Sequence, residues 1–200
     1  MKCELQKEVW NAIAPDWHKY KSNPAENVVE FLKNKKGKIL DLGSGSGRHL
    51  IKNKGTLYLV DFSDKMINLA KKRAKERKIK AEFMVADISK KLPFEDSFFD
   101  SAIAIAILHC LPKKDHKKII KELYRILNTN SEALIAVWDK NSKRFKNAPK
   151  EKLVDWRGKG KRYYYLFEEK EIHDLFKKAG FKITKKIESN VNIVFIVKKI

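Results

Sequence analysis

The chain reads as an α/β protein on a seven-stranded, mostly parallel sheet with an antiparallel final strand. Three observations lead there. Strand and helix signals alternate along the chain, with no internal repeat and no linker rich enough to divide it. The first strand runs straight into a glycine turn, Asp-Leu-Gly-Ser-Gly-Ser-Gly-Arg over 41–48. The chain closes on two adjacent strand signals, 181–188 and 192–198, joined only by a short turn around Ser189 and Asn190. So short a connection can join only antiparallel strands, because a parallel crossover needs a dozen or more residues.

Each element has its own signal. Helices are expected over 4–14 and 25–34, separated by Pro15 and by Ser22-Asn23-Pro24, and 1–36 reads as an N-terminal helical lid. The first strand covers 38–42, with a short helix over 48–53 beyond the glycines, and the second covers 57–61. Ser63 caps a helix reaching about residue 77, whose Met66, Ile67, Leu69 and Ala70 face the sheet. The third strand is 80–86. The fourth, 99–107, is almost wholly apolar, as a strand covered on both faces must be. An amphipathic helix over 114–127 buries Ile119, Ile120, Leu123, Ile126 and Leu127, and 132–138 is the fifth strand. A helix over 168–179, stopped by Gly180, precedes the closing pair.

Composition bounds the class. Two hundred residues, 43% of them hydrophobic, fit one domain with a substantial core. The N-terminus lacks the apolar run of a signal peptide, and the longest apolar stretch, 102–108, is too short to span a bilayer. Cys3 and Cys110 are too few and too far apart for a disulfide framework or a zinc site, so no metal is expected. These features imply a soluble cytoplasmic protein.

The formal charge of +20, from 45 Lys+Arg against 25 Asp+Glu, has two readings. A polyanion such as nucleic acid is one. The other is a lysine-rich, amide-poor composition of the hyperthermophile type, Gln6 being the only glutamine. Placement favours the first. Between residues 140 and 162 ten cations face only Glu151 and Asp155, interspersed with Phe145 and Trp156 and followed by Tyr163, Tyr164 and Tyr165. Cations for phosphates mixed with aromatic rings for bases suit an RNA-facing insertion, 139–167.

The glycine turn carries the chemistry. Gly43, Gly45 and Gly47 allow a sharp turn and close approach to a bound molecule, with the Asp41 carboxylate at the strand's end. Asp61, twenty residues further on at the end of the second strand, stands where a nucleotide-fold acid accepts bonds from ribose hydroxyls. Glycine turns also occur as plain turns, and either acid could simply cap one. The order strand, glycines, helix, strand, acid favours a cofactor site.

Over nearly its whole length the chain resembles class I S-adenosylmethionine-dependent methyltransferases, whose fold is the Rossmann-like sheet with a reversed last strand. The resemblance rests on the 41–47 turn, on Asp61, on Val85-Ala86-Asp87-Ile88, and on Leu92-Pro93-Phe94-Glu95-Asp96-Ser97-Phe98-Phe99-Asp100 before the fourth strand. It implies that Asp41, Gly43, Ser44, Gly45 and Gly47 hold the methionine end of S-adenosyl-L-methionine and that Asp61 holds the ribose. Phe62, Met66, Ala86, Asp87 and Ile88 would surround the adenine. The run from Ala104 to His109 would lie where the methyl group meets its acceptor.

A narrower resemblance, to the tRNA methyltransferases that esterify 5-carboxymethyluridine at the anticodon's wobble position, rests on further motifs. They are Trp10-Asn11-Ala12-Ile13-Ala14-Pro15, Ile105-Ala106-Ile107-Leu108-His109, Val137-Trp138, and Arg162-Tyr163-Tyr164-Tyr165-Leu166-Phe167 with Glu171-Ile172. Departures are Cys110 where the subfamily pairs a second histidine, Tyr165 where histidine is common, and Ser44 for cysteine. The resemblance implies His109 and Arg162 as catalytic groups orienting a substrate carboxylate. Trp138, Tyr163 and Tyr164 would stack the base, with Arg144 and Lys161 as further substrate contacts. A carboxylate nucleophile is already ionised at neutral pH and needs no general base. The implied partners are the tRNA anticodon loop and a small zinc-ribbon activator protein, which would add a strand to the sheet edge or cover apolar surface on the side of the fourth and fifth strands and the 114–127 helix.

Several residues also have plainer readings. Asp87 could begin a turn for its own sake, His109 could be a satisfied polar group, and Arg162 could be one solvated cation among many. Trp10 and Trp17 would pack the lid, and Lys113, Lys114, Lys117 and Lys118 would form a solvated helix face. Two alternative functions stand beside the tRNA reading: a small-molecule methyltransferase acting on a quinone or lipid precursor, and a noncatalytic RNA-binding module.

Overall fold

A computed structural model describes the backbone of residues 3–200 and the side chains from Leu5 onward. Two helices open it, Cys3–Tyr20 (α1) and Glu26–Leu32 (α2). The sheet that follows contains Lys36–Leu42 (β1), Lys54–Asp61 (β2), Ala81–Val85 (β3), Phe99–Ile105 (β4) and Leu127–Trp138 (β5). Asp64–Arg77 (α3) links β2 to β3, and a 3-10 turn, Leu108–Cys110, with Lys113–Ile126 (α4) links β4 to β5. A separate hairpin, Glu151–Asp155 (β6) and Lys161–Tyr165 (β7), precedes Glu169–Lys178 (α5), Phe181–Ile187 (β8) and Asn192–Lys199 (β9).

Strand order in the sheet is β3-β2-β1-β4-β5-β9-β8. The first five strands pair in parallel, and β9 runs antiparallel between β5 and β8, so the reversed last strand is as expected. The order reverses between β1 and β4, and in such sheets ligands bind beyond the carboxyl ends of the strands at that switch.

Alternation along β1 divides the core. Leu40 and Leu42 join Ile119, Ile120 and Leu123 of α4 and Ile172 and Phe176 of α5. Ile39 joins Val28 and Leu32 of α2 and Ala70 and Ala74 of α3 on the other side. Ser63 caps α3, its Oγ accepting from the Met66 N–H at 3.0 Å. No helix among the described residues is long and apolar enough to cross a membrane.

Three expectations need correcting, and one segment forms strands that were not expected. Pro15 does not end the first helix: α1 continues to Tyr20. A proline removes one N–H from the helical ladder, and here docking outweighs that loss, since Ile13 and Ala14 are fully buried and Trp10 packs edge-on against Trp17 at 5.3 Å.

The short helix over 48–53 does not form, and β1 reaches β2 through turns alone. Arginine donors replace the helical bonds. Arg77 donates to the carbonyls of Leu50 at 2.7 Å, Arg48 at 3.3 Å and Ser22 at 2.7 Å, while Arg48 Nε donates to Asn23 at 2.7 Å. Five donors fixed in a planar fork can satisfy several loop carbonyls at once.

The basic insertion, for which no element was expected, contains strands. Its β6–β7 hairpin pairs Leu153 with Tyr163 and Val154 with Arg162.

Finally, β4 and β5 are interior strands hydrogen-bonded on both sides. The sheet's free edges are β3 and β8, so of the two expected docking modes a partner cannot add a strand on the fourth- and fifth-strand side, while covering of apolar surface there is not affected.

Candidate functional site

A cleft of about 840 Å³ opens at the switch between β1 and β4. The glycine turn forms its floor. Gly43 has φ +74°, and a Cβ there would lie 2.3 Å from Ile107 of the loop after β4, so the residue must be glycine on both conformational and steric grounds. Gly47, at φ +73°, faces the other way, where a Cβ would meet Leu50 and Ala70. It serves packing of the turn onto α3 rather than the cleft wall.

Asp61 fastens this turn. Its Oδ2 accepts from the Gly45 N–H and its Oδ1 from the Ser63 N–H, both at 2.9 Å. Each carboxylate oxygen retains further acceptor capacity, and Asp61 lines the cleft. Burial nevertheless pushes its pKa up to about 6, against the lowering effect of the amide donors.

Asp41 lies beneath the turn, 2% exposed. Burial and, next, the nearby Asp61 charge push its pKa up to about 8. His49 Nδ1 stands 3.9 Å from its Oδ2, but burial lowers the imidazole to about 3. The two are therefore neutral neighbours at neutral pH, not an ion pair. Ser44 Oγ, Ser46 Oγ and His49 Nε2 are buried without hydrogen-bond partners in the protein, and all three residues line the cleft beside the half-buried Arg48. Buried polar atoms are rarely left unpaired without a reason. These unmet donors and acceptors beside a cation are able to hold the polar end of a ligand. Across the cleft Phe62, Met66, Ala86 and Ile88 supply an apolar wall.

Asp87 lines that side too, and its Oδ1 accepts from the N–H and Oγ–H of Ser89 at 2.9 and 2.7 Å, so it also starts a turn. Ala104 does not reach the cleft: it is fully buried within β4, and Ile105, Ala106 and Ile107 form the wall instead.

α1 closes the cleft and joins it to the insertion. Asn11 accepts from Ser63 Oγ at 2.5 Å and donates to Asp64 Oδ1 at 3.1 Å, tying α1 to the head of α3. Gln6 accepts from the Tyr163 N–H at 2.9 Å and donates to the Lys161 carbonyl at 3.1 Å, tying α1 to β7.

Behind this lid, Arg162 is 4% exposed. Its guanidinium lies 4.8 Å from the ring of Trp156, 5.1 Å from Tyr164, 5.5 Å from Trp17 and 5.6 Å from Trp10. It donates to Tyr164 Oη at 2.5 Å, its Nε has no partner, and among the described residues no carboxylate pairs with it. Aromatic faces attract such a cation but offset only part of its lost hydration. Trp10 and Trp17 line the cleft and the cage alike.

His109 is buried next to this cage. Its Nδ1 accepts from the Trp138 N–H at 3.0 Å, and burial holds its pKa down at about 3. The neutral ring therefore carries its proton on Nε2.

The expected stacking platform is filled from within. Tyr164 lies on Trp138 at 4.1 Å between centroids, and Trp138 on His109 at 4.8 Å. Tyr163 and Tyr164 are 8% and 2% exposed, so their faces are not open to a base. Arg144 is exposed, its guanidinium 5.1 Å from the Trp138 ring, and Lys161 is exposed on β7. The open aromatic is Tyr20, 61% exposed and 5.5 Å from Trp156, a residue the sequence did not single out. Arg48, Ser46 and His49 were missed as well. Their signal was adjacency to the glycines, masked for Arg48 and His49 by assignment to a helix that does not form.

Residues 39–130 match the family model described as "Methyltransferase domain". The chain is 29% identical over 161 residues to "Probable tRNA methyltransferase 9B" of Mus musculus, covering 76% of this chain and 34% of that protein. It is 33% identical over 134 residues to "tRNA (carboxymethyluridine(34)-5-O)-methyltransferase" of Arabidopsis thaliana, covering 65% of this chain and 31% of that protein. The chain thus spans about a third of the length of these relatives. In fold it is similar to a SAM-dependent methyltransferase from Methanosarcina mazei, with TM-score 0.71 and 23% identity over 89% of this chain and 99% of the other. It is also similar in fold to a chain in a Haloferax volcanii complex of the Trm112 methyltransferase activator with a putative methyltransferase. There the TM-score is 0.73 at 18% identity, over 97% of this chain and 96% of the other.

Proposed function

We propose that this chain, which belongs to the class I S-adenosylmethionine-dependent methyltransferases, methylates tRNA, forming the methyl ester of a 5-carboxymethyluridine at the wobble position. Its cofactor is S-adenosyl-L-methionine, and the cleft fits it. The unpaired Ser44, Ser46 and His49 atoms with Arg48 suit the amino-acid end, Asp61 suits the ribose hydroxyls, and Phe62, Met66 and Ile88 suit the adenine. Once bound, the sulfonium cofactor supplies an activated methyl group, so the protein's task is positioning and electrostatics.

The observation that carries the substrate reading is Arg162. A buried cation held by four aromatic rings and one hydroxyl, with no carboxylate partner among the described residues, is suited to receive one from a substrate. A guanidinium grips a carboxylate with two parallel N–H donors. His109, neutral with Nε2–H, adds a single donor without drawing charge from the attacking oxygen. The relatives named for carboxymethyluridine esterification and the cationic insertion support the same reading.

An activator remains part of the proposal, at a corrected position. β3 is a free edge whose unpaired amides and carbonyls accept a strand. Its last residue, Val85, is 48% exposed and lines the cleft with Ala86, so a partner there would steady the adenine wall.

The test is incubation with methyl-labelled cofactor and bulk tRNA, with and without a zinc-ribbon partner, followed by nucleoside mass spectrometry. Label in a methyl-esterified uridine is the expected result. Label confined to a small-molecule fraction would sink the tRNA reading.

A further inference from the structure

On α4, Lys114, Lys117, Lys118 and Lys121 stand at i, i+3, i+4 and i+7, one face of a helix, and all four are exposed. They line a shallow concavity together with Glu122 and Arg125. Glu122 is committed to Arg125 at 2.6 Å, and Arg125 also to Asp96 at 2.7 Å. Among the described residues none of the four lysines has an ion-pair partner. Two other surface helices do carry such pairs, Lys72 with Glu76 on α3 and Lys170 with Asp174 on α5.

This arrangement opposes helix stability twice. Like charges at i,i+4 repel, and cations in a first turn oppose the helix dipole, where only Asp115 compensates. A face that keeps four unpaired cations against both effects suits a polyanionic ligand.

Its position adds direction. Lys114 lines both this concavity and the cleft. At 1.5 Å rise per residue the row extends about 10 Å along the helix from the cleft mouth.

We propose that the α4 lysine face is a phosphate track: the RNA backbone crosses Lys121, Lys118 and Lys117 and enters the cleft past Lys114. The proposal rests on the tRNA reading above and concerns where the strand runs. The insertion is then a second contact, part of whose charge is already used internally. Lys150 pairs with Glu171 at 2.9 Å and Lys159 with Asp16 at 2.8 Å.

The test compares the triple variant K117E/K118E/K121E with K71E/K75E/K78E, an equal charge change at α3 and its C-cap, on the opposite face of the sheet. Neutral Gln triples at both sites serve if charge reversal impairs folding. Binding of unmodified bulk tRNA to the full chain is measured across salt concentrations, alongside cofactor calorimetry and binding to anionic phosphatidylserine vesicles. The α4 variant should bind tRNA at least about tenfold more weakly, with the log K against log salt slope reduced by roughly 2 to 3. The α3 variant should change far less, and cofactor affinity should hold in both. An unchanged α4 slope, or equal losses in both variants, overturns the track while leaving the tRNA reading intact. Absence of wild-type tRNA binding overturns both, and binding to vesicles but not tRNA assigns the face to a membrane and overturns the track.

Discussion

The glycine turn and the Arg162 cage lie on either side of α1 and bury polar groups by opposite means. At the turn, a buried carboxylate is held by main-chain amides of its immediate neighbourhood, Asp61 by Gly45 and Ser63. In the cage, a buried guanidinium is held by rings from α1, β7 and the β6–β7 turn, with one hydroxyl bond. The first arrangement is short-range and over-determined. The second is assembled from distant segments and leaves donors unspent. The turn's acid is thus also a structural group, whereas the cage holds a cation with no acid partner among the described residues.

Substitution at the turn should produce the largest effects. Gly43→Ala introduces a Cβ into Ile107 at a left-handed φ, and a loss of about 2–5 kcal/mol of stability is expected, measured by urea unfolding. Asp61→Ala should weaken cofactor binding by about 1.5–3 kcal/mol, roughly ten- to a hundredfold, and lower the melting temperature as well. Calorimetry that found wild-type affinity would leave Asp61 a structural residue only.

The cage should behave in the opposite way. Because Arg162 has no acid to orphan among the described residues, Arg162→Met should change stability by about 1 kcal/mol or less. Turnover on tRNA should nevertheless fall on the order of a hundredfold, with cofactor affinity kept. A large loss of stability with proportionate loss of activity would make Arg162 a folding residue and erase the contrast.

A pH experiment sharpens the contrast from the acid side. Asp41 and Asp61 have folded-state pKa values raised to about 8 and about 6, so the ligand-free fold favours their protonated forms. The unfolded chain ionises them near pH 4. The stability they contribute is therefore full below about pH 4 and is lost as pH rises through about 6 and then about 8. The ligand-free melting temperature should fall between pH 5 and pH 8.5, and Asp41→Asn should flatten the upper part. A cationic cofactor favours the ionised acids, so its stabilising effect should grow over the same range. A ligand-free profile that is flat or rising would show the acids already ionised.

The smallest effect on function is expected at the link between the two regions. Gln6→Ala removes two bonds from α1 to β7 and leaves the buried Tyr163 N–H unpaired, a cost of about 1–3 kcal/mol. It should raise KM for cofactor and for tRNA together by a few-fold, since one lid closes both sites. An effect on one substrate alone would mean that the cleft and the cage are not coupled through α1.

The sequence by itself determined what depends on neighbours along the chain: the alternation that builds a parallel sheet, the reversed closing strand, the Ser63 cap, and glycines whose left-handed φ no other residue adopts cheaply. Asp61 was legible for the same reason, because the distance from one strand end to the next is set by the chain itself. Tertiary structure decided the rest. Whether Pro15 ends a helix depended on Trp10 docking against Trp17, and whether 48–53 becomes helical depended on Arg77 reaching back from α3 to the carbonyls of Arg48 and Leu50. Tyr163 and Tyr164 read as stacking platforms because aromatic character is visible in sequence and burial is not. Pairing of β7 with β6 and docking of α1 turned them inward, and left Tyr20 exposed instead. The lysines of α4 could be read as a row from their spacing. That the row begins at the cleft mouth follows from the crossover that carries α4 past the carboxyl end of β4, a relation between strand ends that no local pattern encodes.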